Sequence, residues 1–184
     1  MRIVVGISGA SGAPYALDFL MKCSAAETFV IVTRWGRSLL KTEADVSLEQ
    51  LSAYAKKIYS TDDLSAPFAS GSNAFDALVI VPCSVASLGK IANGISDTLL
   101  TRTAEVALKE NRKMVLCVRE TPWSAVALEN ALKLSRLGVT IMPVSPPFYH
   151  APKTLDELVA GFTDKIMGVL GMPVSAGWRS DELE

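Results

Sequence analysis

The residues "RIVVGISGASGAPYAL", Arg2 to Leu17, decide the fold. A β-branched apolar run gives way to Gly6, Gly9 and Gly12 and then, around Pro14, to a helical pattern. Strand, glycine-rich turn and helix together open a βαβ unit, and Pro14 suits the first turn of the helix. Free amides at such a helix start, with the Ser8 and Ser11 hydroxyls, can face an anion, and glycines let it approach without a Cβ in the way. A turn that needs glycine for packing alone is the competing reading. The spacing Gly6-x-x-Gly9-x-x-Gly12 is not the G-x-G-x-x-G dinucleotide fingerprint, and the Walker lysine-threonine ending is missing. The next strand, "TFVIVT", ends in Thr33-Arg34 where a dinucleotide fold would offer an acid to the ribose, so Arg34 is suited to a second phosphate instead.

Outward from this unit, apolar runs recur as "DALVIVPC", "KMVLCV" and "VTIMPV", with the continuous apolarity of strands buried on both faces. Helical patterns lie between and after them: "GRSLLKTE", "SLEQLSAYAKKI", "DTLLTRTAEVALKE", "SAVALENALKLSRLG" and "TLDELVAGFTDKIMGVLG". The alternation predicts an α/β fold, a three-layer sandwich around a parallel sheet, with sites gathered at the carboxyl ends of the strands. The 184 residues read as one domain with a polar tail from about residue 174, and Ser60–Phe75 is the longest loop-like stretch.

Composition limits the function. A net charge of −1, from 18 basic and 19 acidic residues, provides no broad field for nucleic acid or an acidic membrane. No apolar run approaches the ~20 residues of a membrane span, and the N-terminus does not read as a signal peptide. Cys23, Cys83 and Cys117, odd in number and set in apolar sequence, fit buried thiols of a reducing compartment, and the expected location is cytoplasmic. One histidine, His150, and no Cys-x-x-Cys leave too few soft ligands for a zinc site, so no metal is expected.

Other strand ends carry chemistry. "VIVPCSVASLGKIANG" sets Ser84 and Ser87 at a second helix start, which would open into the same crevice as the first turn if they are more than caps. The loop "ASGSNAF" is a candidate to close over that crevice. Arg102 and Lys109 fall on one helical face, where solvated surface bases are the plain alternative. "VRETPWS" offers a cation at Arg119, a proton carrier at Glu120 and an aromatic surface at Trp123. "SPPFYHAP" is a stiff loop in which Tyr149 is a better phosphate donor than His150 is a base.

Taken in order, "GISGASGAPYAL", "ASGSNAF", "VPCSVASLGKIANG", "LLTRTAEVALKE", "VRETPWS", "LENALKLSRLG" and "PPFYHAP" resemble the UbiX family of flavin prenyltransferases over nearly the whole chain. The resemblance implies a flavodoxin-like or Rossmann-like sandwich that binds reduced FMN and dimethylallyl monophosphate. It also implies a homo-oligomer, a dodecamer, with sites between subunits, and a product, prenylated FMN, that serves a UbiD-type decarboxylase. By matching position it assigns Gly9, Ala10, Ser11, Thr33, Ser84, Val85, Ala86, Ser87 and Arg119 to FMN, with Arg102 nearby. Lys109, Arg119, Tyr149 and Lys165 would hold the prenyl phosphate; Glu43 and Glu120 would be the acid/base groups, with Lys109 and Ser11 in the catalytic set.

The chemistry agrees: breaking an allylic C–O bond makes a carbocation and a phosphate dianion, so cations and a tyrosine belong on the leaving group. An aromatic face, from the flavin or from Trp123 or Trp178, can shelter the cation. Glu120 or the departing phosphate can take the proton lost at C6. No aspartate-rich D-D-x-x-D appears for a magnesium-clamped diphosphate. Lys165 stands where the family commonly has arginine, and Thr33-Arg34 where it has Ser-Lys. Two rivals share the fold: a phosphopantothenoylcysteine-type decarboxylase, which wants an early histidine base, and a non-catalytic flavin carrier, which needs no Lys109, Glu120 and Tyr149 together.

Overall fold

A computed structural model describes residues 1–174. Trp178 and all but the first residue of the tail from about 174 lie outside the described residues. Six strands, β1 (Arg2–Ile7), β2 (Glu27–Val32), β3 (Lys57–Ser60), β4 (Ala77–Cys83), β5 (Lys113–Val118) and β6 (Thr140–Pro143), form one sheet. Every pair is parallel and the order is β3-β2-β1-β4-β5-β6. This is the doubly wound order of the Rossmann type, and its direction reverses between β1 and β4.

Helices α1 (Ala13–Lys22), α2 (Arg34–Ala44), α3 (Leu48–Leu51) and α7 (Leu155–Leu170) cover one face. Helices α4 (Val85–Ala92), α5 (Leu99–Lys109) and α6 (Ala125–Arg136) cover the other. The expected three layers are present. Because helices lie on both sides, β1 and β4 are buried along almost their whole length, which is why they read as unbroken apolar runs.

One element differs from the sequence reading. The pattern "SLEQLSAYAKKI" does not make a single helix. Ser47 and Gln50 form a capping box, α3 lasts four residues, a 3-10 turn follows at Ser52–Tyr54, and Lys57–Ser60 becomes strand β3. Ile58 and Tyr59 register against Val30 and Ile31, and Tyr59 packs edge-on to Phe68 at 5.8 Å. Tertiary pairing on a short, lysine-bearing edge thus outweighs the local helical period.

Candidate functional site

The carboxyl ends of the strands border a cleft of about 430 Å³. It is lined by Gly9 and Ala10 after β1, Thr33, Arg34 and Trp35 after β2, Thr61 after β3, and Arg119 and Glu120 after β5. Ser84, Val85, Ala86, Ser87 and Lys90 contribute from the start of α4, and Thr98, Leu100 and Thr101 from the start of α5. The cleft therefore opens where the strand order reverses, as the doubly wound fold dictates.

Several residues of the first turn have other work. Ser8 is 1% exposed; its Oγ donates to the Pro82 carbonyl at 2.9 Å and accepts from the Ser84 amide at 2.8 Å. It stitches the ends of β1 and β4 together and does not face an anion. A Cβ on Gly9 would lie 2.5 Å from the Cβ of Trp35, and one on Gly6 would lie 2.4 Å from Leu100 Cδ1. Packing, the plain reading, accounts for these two glycines. Gly12, at φ 120°, needs glycine for its backbone as well.

The start of α1 is also occupied. Glu43 Oε2 accepts from the amides of Gly12 at 2.7 Å and Ala13 at 2.9 Å, completing a helix whose own N-cap, Gly12, supplies no side-chain acceptor. Partial burial pushes the Glu43 carboxyl upward. The two amides, the Ser11 hydroxyl and the Arg119 charge outweigh that push and hold its pKa below the ordinary value. Glu43 does not line the cleft; it anchors the turn as an ionised carboxylate. Arg119 ties to the same turn, its Nε donating to the Ser11 carbonyl at 3.1 Å.

Donors for an anion remain at the other helix starts. Ser84 caps α4 by accepting from the Ser87 amide at 3.2 Å and donates to Ser87 Oγ at 3.1 Å. The first-turn amides of Val85 and Ala86, which have no place in the helical ladder, are left at the cleft wall. Thr33 Oγ1 accepts from Gly36 N at 3.0 Å, which keeps its own proton for a ligand. Arg34, Lys90 and Arg119 provide cations against the single carboxylate of Glu120 among the lining residues. Thr61 Oγ1 is buried and has no hydrogen-bond partner. Glu120 is fixed by its own loop: its Oε1 accepts from Thr121 N at 3.0 Å, and its carbonyl accepts from Trp123 Nε1 at 3.0 Å. This donor set, with the 67%-exposed indole of Trp35 at the mouth, suits a planar aromatic ring carrying a phosphate.

A single chain does not bring the remaining candidates to the cleft. Arg102 donates through Nε to the Ala69 carbonyl at 2.9 Å. Lys109 ends α5, beside the start of β5 and thus toward the amino ends of the strands, away from the cleft, paired with Glu110 at 3.0 Å. The Gly71 loop lies there too, its carbonyl held by Arg112 at 2.8 Å, so it does not close over the cleft of its own chain. Tyr149 sits in the exposed loop beyond β6, its ring 4.2 Å from that of His150, and Lys165 is exposed on α7. Sequence reasoning missed Trp35, Thr61 and Lys90. Trp35 had a signal, since it follows Thr33-Arg34 directly at a strand end.

The fold and this donor set define a flavoprotein, and the flavoprotein family model matches residues 1–167. The chain belongs, within it, to the UbiX family of flavin prenyltransferases. It is 45% identical to the flavin prenyltransferase UbiX of Thermoplasma acidophilum, over 94% of this chain and 96% of that one. Two solved structures superpose over 97% of this chain. One is the dodecameric FMN-dependent UbiX-like decarboxylase of Escherichia coli O157:H7, with 35% identity, TM-score 0.94 and 100% of that chain covered. The other is AnUbiX (PadA1) in complex with FMN and dimethylallyl pyrophosphate, with 33% identity, TM-score 0.91 and 98% covered.

Proposed function

We propose that this protein is a flavin prenyltransferase that joins the dimethylallyl group of dimethylallyl monophosphate to N5 and C6 of reduced FMN. The observation that carries this reading is the convergence of Gly9, Ala10, Thr33, Ser84 to Ser87, Arg119 and Glu120 on one cleft at the strand-order reversal. FMN, when bound, supplies the electron-rich ring that accepts the five-carbon unit. The α4 amides, the Thr33 and Ser87 hydroxyls and Arg34 are the groups suited to its phosphate and polar edge.

Arg119 balances the charge that grows on the leaving phosphate as the allylic C–O bond breaks, from a position fixed by the Ser11 carbonyl. Glu120 lines the cleft and is the group suited to pass a proton to the alkene and to take back the one lost at C6, so that ring closure leaves its own protonation unchanged; the N5 proton leaves with the phosphate. Glu43 keeps the first turn in place and carries no proton in this scheme. Lys109, Tyr149 and Lys165 stand outside the cleft of one chain, so we assign their grip on the donor phosphate to contacts between copies in a homo-oligomer. A dodecamer, as in the Escherichia coli relative, is our expectation. The product serves a UbiD-type decarboxylase. The same reading takes residues 1–184 as one domain and places it in the cytoplasm, in keeping with three buried free thiols.

The test is anaerobic incubation of the protein with reduced FMN and dimethylallyl monophosphate, followed by mass spectrometry of the released flavin. A flavin heavier by one five-carbon unit is the expected product; recovery of FMN unchanged, with the protein folded, overturns the reading.

A further inference from the structure

Lys90 is a cleft cation that neither the first-turn motif nor the strand ends foretold. It lies on α4, two turns from the Ser84 cap, and shares the cleft wall with Thr98 and Thr101 at the start of α5. Its Nζ rests 2.6 Å from Asp97 Oδ2, and the two side chains are 40% and 49% exposed. An ion pair this open to water contributes little to the fold, so exchanging Asp97 for another anion costs the protein little. Thr101 Oγ1 stands 3.4 Å from the other Asp97 oxygen, a second and weaker contact. Thr61, whose hydroxyl is buried without a hydrogen-bond partner among the described residues, borders the same cleft.

We propose that Lys90 is a phosphate-binding residue of the cleft, held in reserve on Asp97 and transferred to a ligand phosphate on binding. The inference rests on the flavin prenyltransferase reading, under which two phosphate monoesters enter the site, that of the flavin and that of the prenyl donor. A lysine suits this exchange: a point charge on a flexible stem can leave one oxygen anion for another without the fixed fork of an arginine. With Lys90 paired to Asp97, the lining still sets Arg34 and Arg119 against Glu120, a positive balance that an anionic ligand offsets.

The test uses the full-length protein and the variants Lys90→Met, Lys90→Arg and Asp97→Asn, with melting temperatures as a check on folding. FMN and riboflavin binding are titrated by flavin fluorescence, and initial rates give KM for dimethylallyl monophosphate. If Lys90 holds the flavin phosphate, Lys90→Met weakens FMN at least tenfold, leaves riboflavin within twofold, and Lys90→Arg restores most of the loss. If it holds the donor phosphate, KM for the donor rises at least tenfold while FMN affinity stays within twofold. In either case Asp97→Asn, which removes the competing anion, leaves the affected ligand bound as tightly as before or more so. The inference is overturned if Lys90→Met moves neither quantity more than twofold, or if FMN and riboflavin weaken equally. A wild-type protein that binds neither flavin overturns the underlying reading as well.

Discussion

Arg119 and Ser11, 108 positions apart in sequence, are joined by one hydrogen bond of 3.1 Å from the guanidinium Nε to the Ser11 carbonyl. The bond fixes the cation at the end of β5 against the turn after β1, on opposite sides of the point where strand order reverses. Arg119→Met is expected to lower kcat/KM at least a hundredfold, the usual loss when a donor to developing charge is removed. Its effect on stability should stay within about 1–2 kcal/mol, since an exposed hydrogen bond and a charge facing the partly exposed Glu43 carboxylate are lost. Steady-state kinetics and urea denaturation on the same preparation separate the two effects.

Glu43 predicts a pH effect of definite sign. Its folded pKa lies below the ordinary 4.5, so the stability it adds is fully present above that value and is lost as pH falls through the depressed folded pKa. Glu43→Gln should destabilise the protein by about 1–2 kcal/mol at neutral pH, the worth of a charged acceptor on helix amides. It should also flatten the acid limb of the stability curve. Denaturation series between neutral pH and the acid limb measure both; an unchanged acid limb would show that the carboxylate is not the anchor.

Gly9 and Trp35 give a packing prediction. Gly9→Ala places a methyl 2.5 Å from the Trp35 Cβ and should cost about 1–3 kcal/mol. Because the clash is with Cβ itself, adding Trp35→Ala should not rescue it, whereas adding Trp35→Gly should. A double-mutant cycle by thermal denaturation reads the coupling.

Glu120→Gln separates an enzyme from a flavin carrier. Flavin affinity should remain within about threefold of wild type while turnover falls by at least ~100-fold, the span of a lost general acid or base. Equal loss of binding and turnover would make Glu120 a binding residue instead.

The sequence revealed most of the layers because strands buried on both faces leave long apolar runs, as in "DALVIVPC", and hydroxyl caps such as Thr33, Ser84, Ser124 and Thr154 mark helix starts. It did not reveal β3, whose first two residues, Lys57 and Ile58, end a helical period and whose last, Ser60, opens a loop-like stretch; they become strand only by pairing with β2. The site was legible where it is made by residues adjacent to strand ends, as with Ser84 to Ser87 and Arg119-Glu120. It was misread where a long-range partner decides: nothing near Ser8 announces that Ser84 will claim its oxygen, and nothing near Gly12 announces Glu43. Lys90 was hidden for the same reason, since its value comes from the cleft it borders and not from its neighbours in the chain.

The hydroxyl of Ser8, by holding both the Pro82 carbonyl and the Ser84 amide, makes the two turns flanking the reversal a single mechanical part. Any breathing of the pocket as a ligand enters must then come from the surrounding helices and from the Trp35 rim, while the floor stays rigid. A molecule that must align two reacting partners gains from such a division of labour: a stationary bench below, and a yielding frame around it.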